Sequence, residues 1–187
     1  MQTEKEIPMT EIQEKFPQTH AEFGEFIRRN QNRLVRHAFF RLGSQAEAED
    51  IVQEVMIRIY QEKESKQHIG NPVSYAFRMV LNASLDLLRK KSRDPVGKLN
   101  GRDLSIVDGS NREKEMIATE EFLRINRLLG SIPEEQAEVI RLRVIDEMSF
   151  VEIAEIMKAP VTTIKSRFTY GIIKLKTNVN YQKEETI

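Results

Sequence analysis

Met148-Ser149-Phe150-Val151-Glu152-Ile153-Ala154-Glu155-Ile156-Met157-Lys158-Ala159-Pro160-Val161-Thr162-Thr163-Ile164-Lys165-Ser166-Arg167 is the stretch whose reading decides the fold. It describes two helices joined by a tight turn. Ser149 is a natural N-cap, and Glu152 three residues later completes a capping box. Phe150, Ile153, Ala154 and Met157 recur at helical spacing and form one apolar stripe. Pro160 ends the first helix, because the residue before a proline disfavours the α region. A proline near a helix start favours the second helix. That helix turns Val161, Ile164 and Phe168 inward and leaves Thr162, Thr163, Lys165, Ser166, Arg167 and Thr169 facing out. Acids sit on the first helix, and only bases occur from Lys158 to Lys176. A short helix followed by one with small polar and basic side chains is what a major-groove reader needs. An ordinary helical hairpin with a solvated basic face is the competing reading.

Working outward, Pro133-Glu134-Glu135 starts another helix, with Ala137, Val139, Ile140, Leu142 and Val144 assigned inward. Asp146-Glu147 makes the bend that follows it. Phe122, Leu123, Ile125, Leu128 and Leu129 form a stripe ending at Gly130. Between Ser92 and Ser110 periodicity is lost, and Asp94-Pro95, Gly97, Asn100-Gly101 and Asp108-Gly109 are turn or linker signals. The N-terminal half is helical again. Thr19 with Glu22 caps a helix carrying Phe23, Phe26, Ile27, Leu34, Val35, Ala38 and Leu42, closed by Gly43. Ser44 with Glu47 opens a second, with Ile51, Val52, Val55, Met56, Ile59 and Tyr60 inward and Asp50, Gln53, Glu54 and Arg58 outward. A polar loop from Gln61 to Asn71 leads to the Asn71-Pro72 cap of a third helix. Its core side is Tyr75, Val80, Leu81, Leu85 and Leu88, and its last turn is basic, as the macrodipole favours.

The expected organisation is therefore all-α: two small helical domains joined by a flexible linker, the second a helix-turn-helix. The expected boundaries are a loose leader at 1–18, a first domain at 19–92, a linker at 93–113, a second domain at 114–177 and a tail at 178–187.

Composition sets further limits. The 187 residues carry 29 Lys+Arg against 29 Asp+Glu, so the chain has no net charge and nucleic-acid contact must use local patches. The bases are indeed segregated, into Arg89, Lys90, Lys91 and Arg93 and into the run from Lys158 to Lys176. The absence of cysteine excludes disulfides, Cys-based zinc sites and thiol catalysis, and fits a reducing cytoplasm. No apolar run reaches the ~18–20 residues of a membrane span. No apolar signal segment is present at the N-terminus, so a cytoplasmic location without membrane insertion is expected. His20, His37 and His68 are scattered without metal-ligand spacing, and no phosphate-binding glycine loop occurs, so neither an enzyme site nor a cofactor is expected.

Three constellations carry chemistry. Asp50, Gln53 and Glu54 share the face opposite an apolar stripe, which suits a basic partner helix or is plain helix surface. The helix from Tyr75 to Arg93 offers an aromatic, with Phe77 nearby, amides at Asn71 and Asn82, and a basic end. Aromatics and amide edges suit unpaired bases, and cations suit phosphates. The alternative is that Tyr75 and Phe77 are core. The third is the helix-turn-helix.

Taken in order, these stretches resemble the extracytoplasmic-function (ECF) class of the bacterial sigma-70 family. Ala48-Glu49-Asp50-Ile51-Val52-Gln53-Glu54-Val55 is similar to the family's polymerase-docking helix. Asn71-Pro72-Val73-Ser74-Tyr75, continuing through Arg78-Met79-Val80-Leu81-Asn82 to Arg89-Lys90, is similar to its −10 helix. Ile132-Pro133-Glu134-Glu135-Gln136 and the two opening helices are similar to its region 4. The resemblance covers residues 20–92 and 115–176. It implies a sigma factor that binds core RNA polymerase and directs initiation through −10 and −35 recognition. It assigns Asp50, Gln53 and Glu54 to the β′ clamp, with the β subunit also contacted by the bound factor. It assigns Tyr75, Arg78, Asn82, Arg89, Lys90, Lys91 and Arg93 to −10 DNA, and the Gln61–Asn71 loop to a flipped base. It assigns Thr162, Thr163, Lys165, Ser166, Arg167, Thr169 and Tyr170 to the −35 element, and it implies a cognate anti-sigma factor. The rival is a helix-turn-helix regulator that never docks on polymerase and so has no need of the Asp50/Gln53/Glu54 face. A decoy or adaptor keeping the same fold is a third.

Some positions depart from the family pattern. Lys158 stands where the turn has glycine, Thr162 replaces another common glycine, and Tyr75 stands for tryptophan. Tyr170-Gly171-Ile172-Ile173 stands where arginines are common. These departures predict weak −35 binding by the isolated second domain and a helix locally weakened at Gly171 by roughly 1 kcal/mol relative to Ala.

Overall fold

The computed structural model describes residues 16–66, 69–93 and 122–184, and every regular element among them is helical. The first half contains α1 (His20–Leu42), α2 (Gln45–Gln61) and α3 (Pro72–Arg93), with a short 3₁₀ turn at Lys63–Lys66 inside the expected polar loop. The second half contains α4 (122–130), α5 (Glu134–Ile140), a π turn (Arg141–Ile145), α6 (Phe150–Met157) and α7 (Val161–Glu184). The expected linker, beyond Arg93 at the end of α3, and the expected start of the second domain at 114 lie outside the described residues. So do Gln67, His68 and residues 1–15 of the leader. Phe16 and Pro17, the last part of that leader, are buried. Helix α7 continues to Glu184, past the expected end at Thr177.

Local signals build these helices. Thr19 and Glu22 form the full capping box of α1, and Gly43 closes it with a left-handed φ of 73°. The Glu22 carboxyl is held below its usual pKa, first by the backbone N–H of Gln18, then by that of Thr19. Ser44 accepts the Glu47 N–H at 3.4 Å, but the reciprocal half of that box is not made. The Glu47 carboxylate instead pairs with Lys91 on α3. Asn71 caps α3 by accepting the Ser74 N–H at 3.0 Å. Ser149 and Glu152 make the full box of α6.

Helices α1, α2 and α3 pack mutually around Leu34, Ala38, Val52, Ile59, Phe77 and Val80, all at most 2% exposed. Phe77 is therefore core, not a stacking platform. In the second half α7 packs on both α5 and α6, with Ile153, Ile156 and Ile164 buried. Val144, assigned inward from its spacing, is 59% exposed. The π turn explains this: its i→i+5 bonding inserts a residue into the helical phase and rotates everything after it. Leu142 is inward as assigned, and Arg141 is buried beside it.

The two halves are packed together. One continuous apolar cluster contains residues of α1, α2 and α3 together with Val139, Leu142, Met148, Ile153, Ile156 and Ile164. Helix α6 lies on α3, and the rings of Phe39 and Phe40 on α1 meet Phe122 of α4 with centroids at 4.8 and 5.4 Å.

Candidate nucleic-acid and docking surfaces

Three faces carry the residues singled out by the sequence. On α2, the inward side is fully committed to the core, so Asp50, Gln53 and Glu54 project from the opposite side and are exposed. No hydrogen bond or ion pair joins any of them to another described residue, which leaves two carboxylates one turn apart without compensating cations. Ile57 shares this face, one turn beyond Gln53 and Glu54, and is 58% exposed. Sequence reasoning passed over it, although its phase is that of the polar face rather than the apolar stripe. An acidic pair followed by an apolar residue is chemically complementary to an amphipathic basic helix.

On α3, the spacing 75, 78, 82, 89, 93 follows one helical face. Tyr75 is half-buried: the Arg78 guanidinium lies over its ring at 5.5 Å, and the Phe16 ring meets it edge-on at 6.5 Å. Asn82 is exposed, and Leu81 and Ser84 behind it are buried, so the amide is offered to solvent from a packed helix. Of the basic end, Arg89 is paired with Asp86 at 3.0 Å and Lys91 with Glu47. Lys90 and Arg93 are exposed, and no ion pair joins them to another described residue.

On α7, Thr162, Lys165, Ser166, Thr169 and Tyr170 are exposed along one face, and Ile164 is buried behind them. The Ser166 and Thr169 hydroxyls donate to the Thr162 and Lys165 carbonyls, each at 3.0 Å. Thr163 is half-buried, and so is Arg167, which is tied to Glu135 at the start of α5. The arrangement thus brings five of the seven expected residues onto one open face and holds Thr163 and Arg167 back from it.

The departures at residues 158 and 170–173 are explained in part. Lys158 has φ 51° and ψ 46°, the left-handed conformation that glycine favours. Gly171 is buried against α5: a Cβ there would lie 2.8 Å from Ile140 Cδ1 and 3.2 Å from Gln136 Cβ. The missing side chain thus lets α7 approach α5 closely, a packing gain set against the low helix propensity of glycine. Ile172 packs in the same small cluster with Leu129, Ile132, Ala137 and Ile140. Within 170–173, Tyr170 and Ile173, 62% and 53% exposed, stand as apolar residues on open surface.

No group of three metal-ligating side chains and no helix long and apolar enough to cross a membrane occurs among the described residues.

Comparison with known proteins identifies the two halves. The family model for sigma-70 region 2 matches residues 26–94, and that for sigma-70 region 4 matches residues 122–175. The chain is 29% identical to the ECF RNA polymerase sigma factor SigW of Bacillus subtilis over 157 residues, 80% of this chain and 84% of that one. It is 27% identical to the ECF sigma factor SigE of Mycolicibacterium smegmatis, covering 87% of this chain and 63% of the relative. It is 29% identical to the ECF sigma-E factor of Escherichia coli, covering 63% and 66%. Its fold is that of CnrH in a complex with the cytosolic domain of CnrY, at a TM-score of 0.66 and 20% identity over 87% of this chain and 90% of that one. It is also that of RpoE bound to the anti-sigma factor NepR of Bartonella quintana, at a TM-score of 0.59 and 20% identity over 83% and 97%. The two region models in this order, with ECF factors as relatives along most of the chain, decide against a free-standing helix-turn-helix regulator. The chain belongs to the ECF class of the sigma-70 family: it is an RNA polymerase sigma factor, which binds core polymerase and directs promoter-specific initiation.

Proposed function

We propose that the three faces divide the work of initiation. The open acidic face of α2, with Asp50, Gln53 and Glu54, docks on the β′ clamp of core polymerase. The face of α3 through Tyr75, Arg78 and Asn82 receives unpaired −10 bases. Lys90 and Arg93, with Arg89 and Lys91, follow the adjacent phosphates. The face of α7 through Thr162, Lys165, Ser166, Thr169 and Tyr170 reads the −35 duplex, with Thr163 and Arg167 bracing it from the side.

The observation that carries this reading is the exposed Asn82 amide, on one helical face with the half-buried Tyr75 ring and the basic end. An amide offers a donor and an acceptor to a base edge, and the ring offers a stacking surface. Melting needs no catalytic step. Capturing a splayed base offsets the few kcal/mol that unstacking costs. The protein then acts as an initiation factor rather than an enzyme, inside the compartment where polymerase and promoter DNA meet. The complexes of CnrH with CnrY and of RpoE with NepR support an anti-sigma factor as a further partner of this chain.

Asn82→Ala tests the assignment. It is expected to reduce open-complex formation by about tenfold, the cost of one lost base contact, while closed-complex binding changes little. Equal loss in both would remove Asn82 from base capture.

A further inference from the structure

The residues just ahead of α1 are held by specific bonds. Phe16 is 4% exposed, and Pro17 behind it is buried. The residue before a proline is biased away from the α region, so Pro17 favours an extended backbone at Phe16. The Gln18 side chain donates to the Phe16 carbonyl at 2.9 Å. The Glu22 carboxylate accepts the backbone N–H of Gln18 at 2.8 Å as well as that of Thr19 at 3.1 Å. A capping box requires only the second of these bonds. The extra bond to Gln18 carries the cap of α1 one residue further back and ties down the chain that bears Phe16.

What Phe16 meets there is Tyr75, in the first turns of α3. The ring centroids are 6.5 Å apart and the planes are inclined at 61°, the edge-to-face arrangement that aromatic pairs prefer. The Arg78 guanidinium lies over the Tyr75 ring at 5.5 Å. Two groups thus act on the plane of a ring that is only half-buried. Arg78 belongs to the same helix, whereas Phe16 comes from ahead of α1. Burial alone would be served by any apolar side chain at residue 16. Only a ring makes the edge-to-face pair, which favours one orientation of its partner.

That orientation matters for stacking. A base stacks on a ring whose plane is already set without the cost of ordering it. For one mobile side chain that cost is about two- to tenfold in affinity.

We infer that Phe16 is a positioning residue for −10 capture: its ring, anchored through Gln18 and Glu22, sets the plane of Tyr75 for an unpaired base. The inference rests on the role proposed above for Tyr75; the contact between the two rings does not.

The chain has four tyrosines, so 3-fluorotyrosine labelling of the full-length protein gives four fluorine signals, and Tyr75→Leu identifies one of them by its loss. Phe16→Leu keeps an apolar side chain and removes the ring. It is expected to move the Tyr75 signal and leave the other three in place; an unmoved signal would overturn the contact. Binding is then measured with reconstituted holoenzyme. The probe is a single-stranded oligonucleotide copying the non-template strand that permanganate finds unpaired at a promoter the holoenzyme melts. Phe16→Leu is expected to weaken this binding by about two- to tenfold, with affinity for core and the thermal midpoint of the free chain unchanged. In a Tyr75→Leu background the same substitution is expected to cost nothing further. Additive losses would overturn action through Tyr75. A parallel fall in core affinity would reduce Phe16 to a purely structural residue and overturn the inference. Glu22→Ala, at an exposed position, frees the Gln18 and Thr19 N–H groups. It is expected to move the same signal and weaken the same binding by less, and it decides the matter if Phe16→Leu loses helix content. If Tyr75→Leu itself leaves oligonucleotide binding unchanged, the −10 reading of Tyr75 falls and the functional half of the inference with it, while the fluorine signal still reports the ring contact.

Discussion

The proposed docking face of α2 and the proposed reading face of α7 are both single helical faces, and they differ in how freely their side chains are offered. Asp50, Gln53 and Glu54 stand on a helix whose other side is in the core, and they are engaged by nothing among the described residues. On α7 two hydroxyls are turned back to their own helix, Arg167 is held by Glu135, and Tyr170 and Ile173 occupy exposed positions without charge. The first face is ready as it stands. The second has fewer free donors for phosphate, and each missing contact lowers the salt slope of DNA binding by about one unit. A reader built this way gains from a partner that holds it in place, which is the role proposed for polymerase once it is docked on α2.

The comparison breaks most easily on α2. Asp50→Lys with Glu54→Lys replaces two uncompensated acids by bases. Core polymerase binding should fall by roughly 100-fold or more, since like-charge juxtaposition costs several kcal/mol. A pull-down with core measures it, and circular dichroism should show unchanged helix, because neither residue touches the core. Retention of binding would move the docking site off α2.

On α7 the effects should be smaller and specific to sequence. Lys165→Ala and Thr162→Ala are expected to shift −35 preference by about 1–3 kcal/mol per lost base contact. Binding of core should be untouched. Selection of −35 variants by the reconstituted holoenzyme reads this directly, and an unmoved preference would mean that another face of α7 enters the groove.

Much of this was legible locally. Capping residues and amphipathic phase are short-range signals, so α1, α2, α3 and α6 begin where Thr19, Ser44, Asn71 and Ser149 indicated. The exposed acids of α2 followed from the same phase. What escaped depended on distant partners. Glu47 leaves its own capping box for Lys91, 44 residues away. His37 and Asp146 meet across a separation of 109 residues, with no periodicity to announce it. The π turn displaced Val144 because one inserted residue breaks the register that inward assignment assumes. Gly171 shows the same limit: a glycine in a helix reads as weakness until the side chains of Ile140 and Gln136 are seen beside it.

That position sharpens the contrast within α7 itself. Gly171→Ala should gain about 1 kcal/mol of helix propensity. It should lose about 1–3 kcal/mol through overpacking against Gln136 and Ile140. The expected balance is a net destabilisation of about 1 kcal/mol, seen as a lower midpoint in urea. A rise in the midpoint would mean that α5 and α7 can separate without cost.

The smallest effect concerns the turn that presents the reading helix. Lys158 donates its backbone N–H to the Ala154 carbonyl from a left-handed conformation, and a side chain there costs roughly 1 kcal/mol relative to glycine. Its φ of 51° is one of two positive values outside glycine among the described residues, with Glu147 at 57° in the bend before α6. One left-handed residue thus sits in the bend before this eight-residue helix and one in the turn after it, and α6 is the element that bridges α3 and α7. Lys158→Gly relieves the strain in the turn while leaving the buried side chains in place, since Lys158 is exposed. The expected gain is somewhat under 1 kcal/mol, because glycine also enlarges the conformational freedom of the unfolded chain. If the reading face of α7 is limited by its supports, the variant should also tighten −35 duplex binding slightly. If it is limited by its missing cations, stability should rise and binding should stay where it was. Measuring the two together separates a poorly held reader from a poorly charged one.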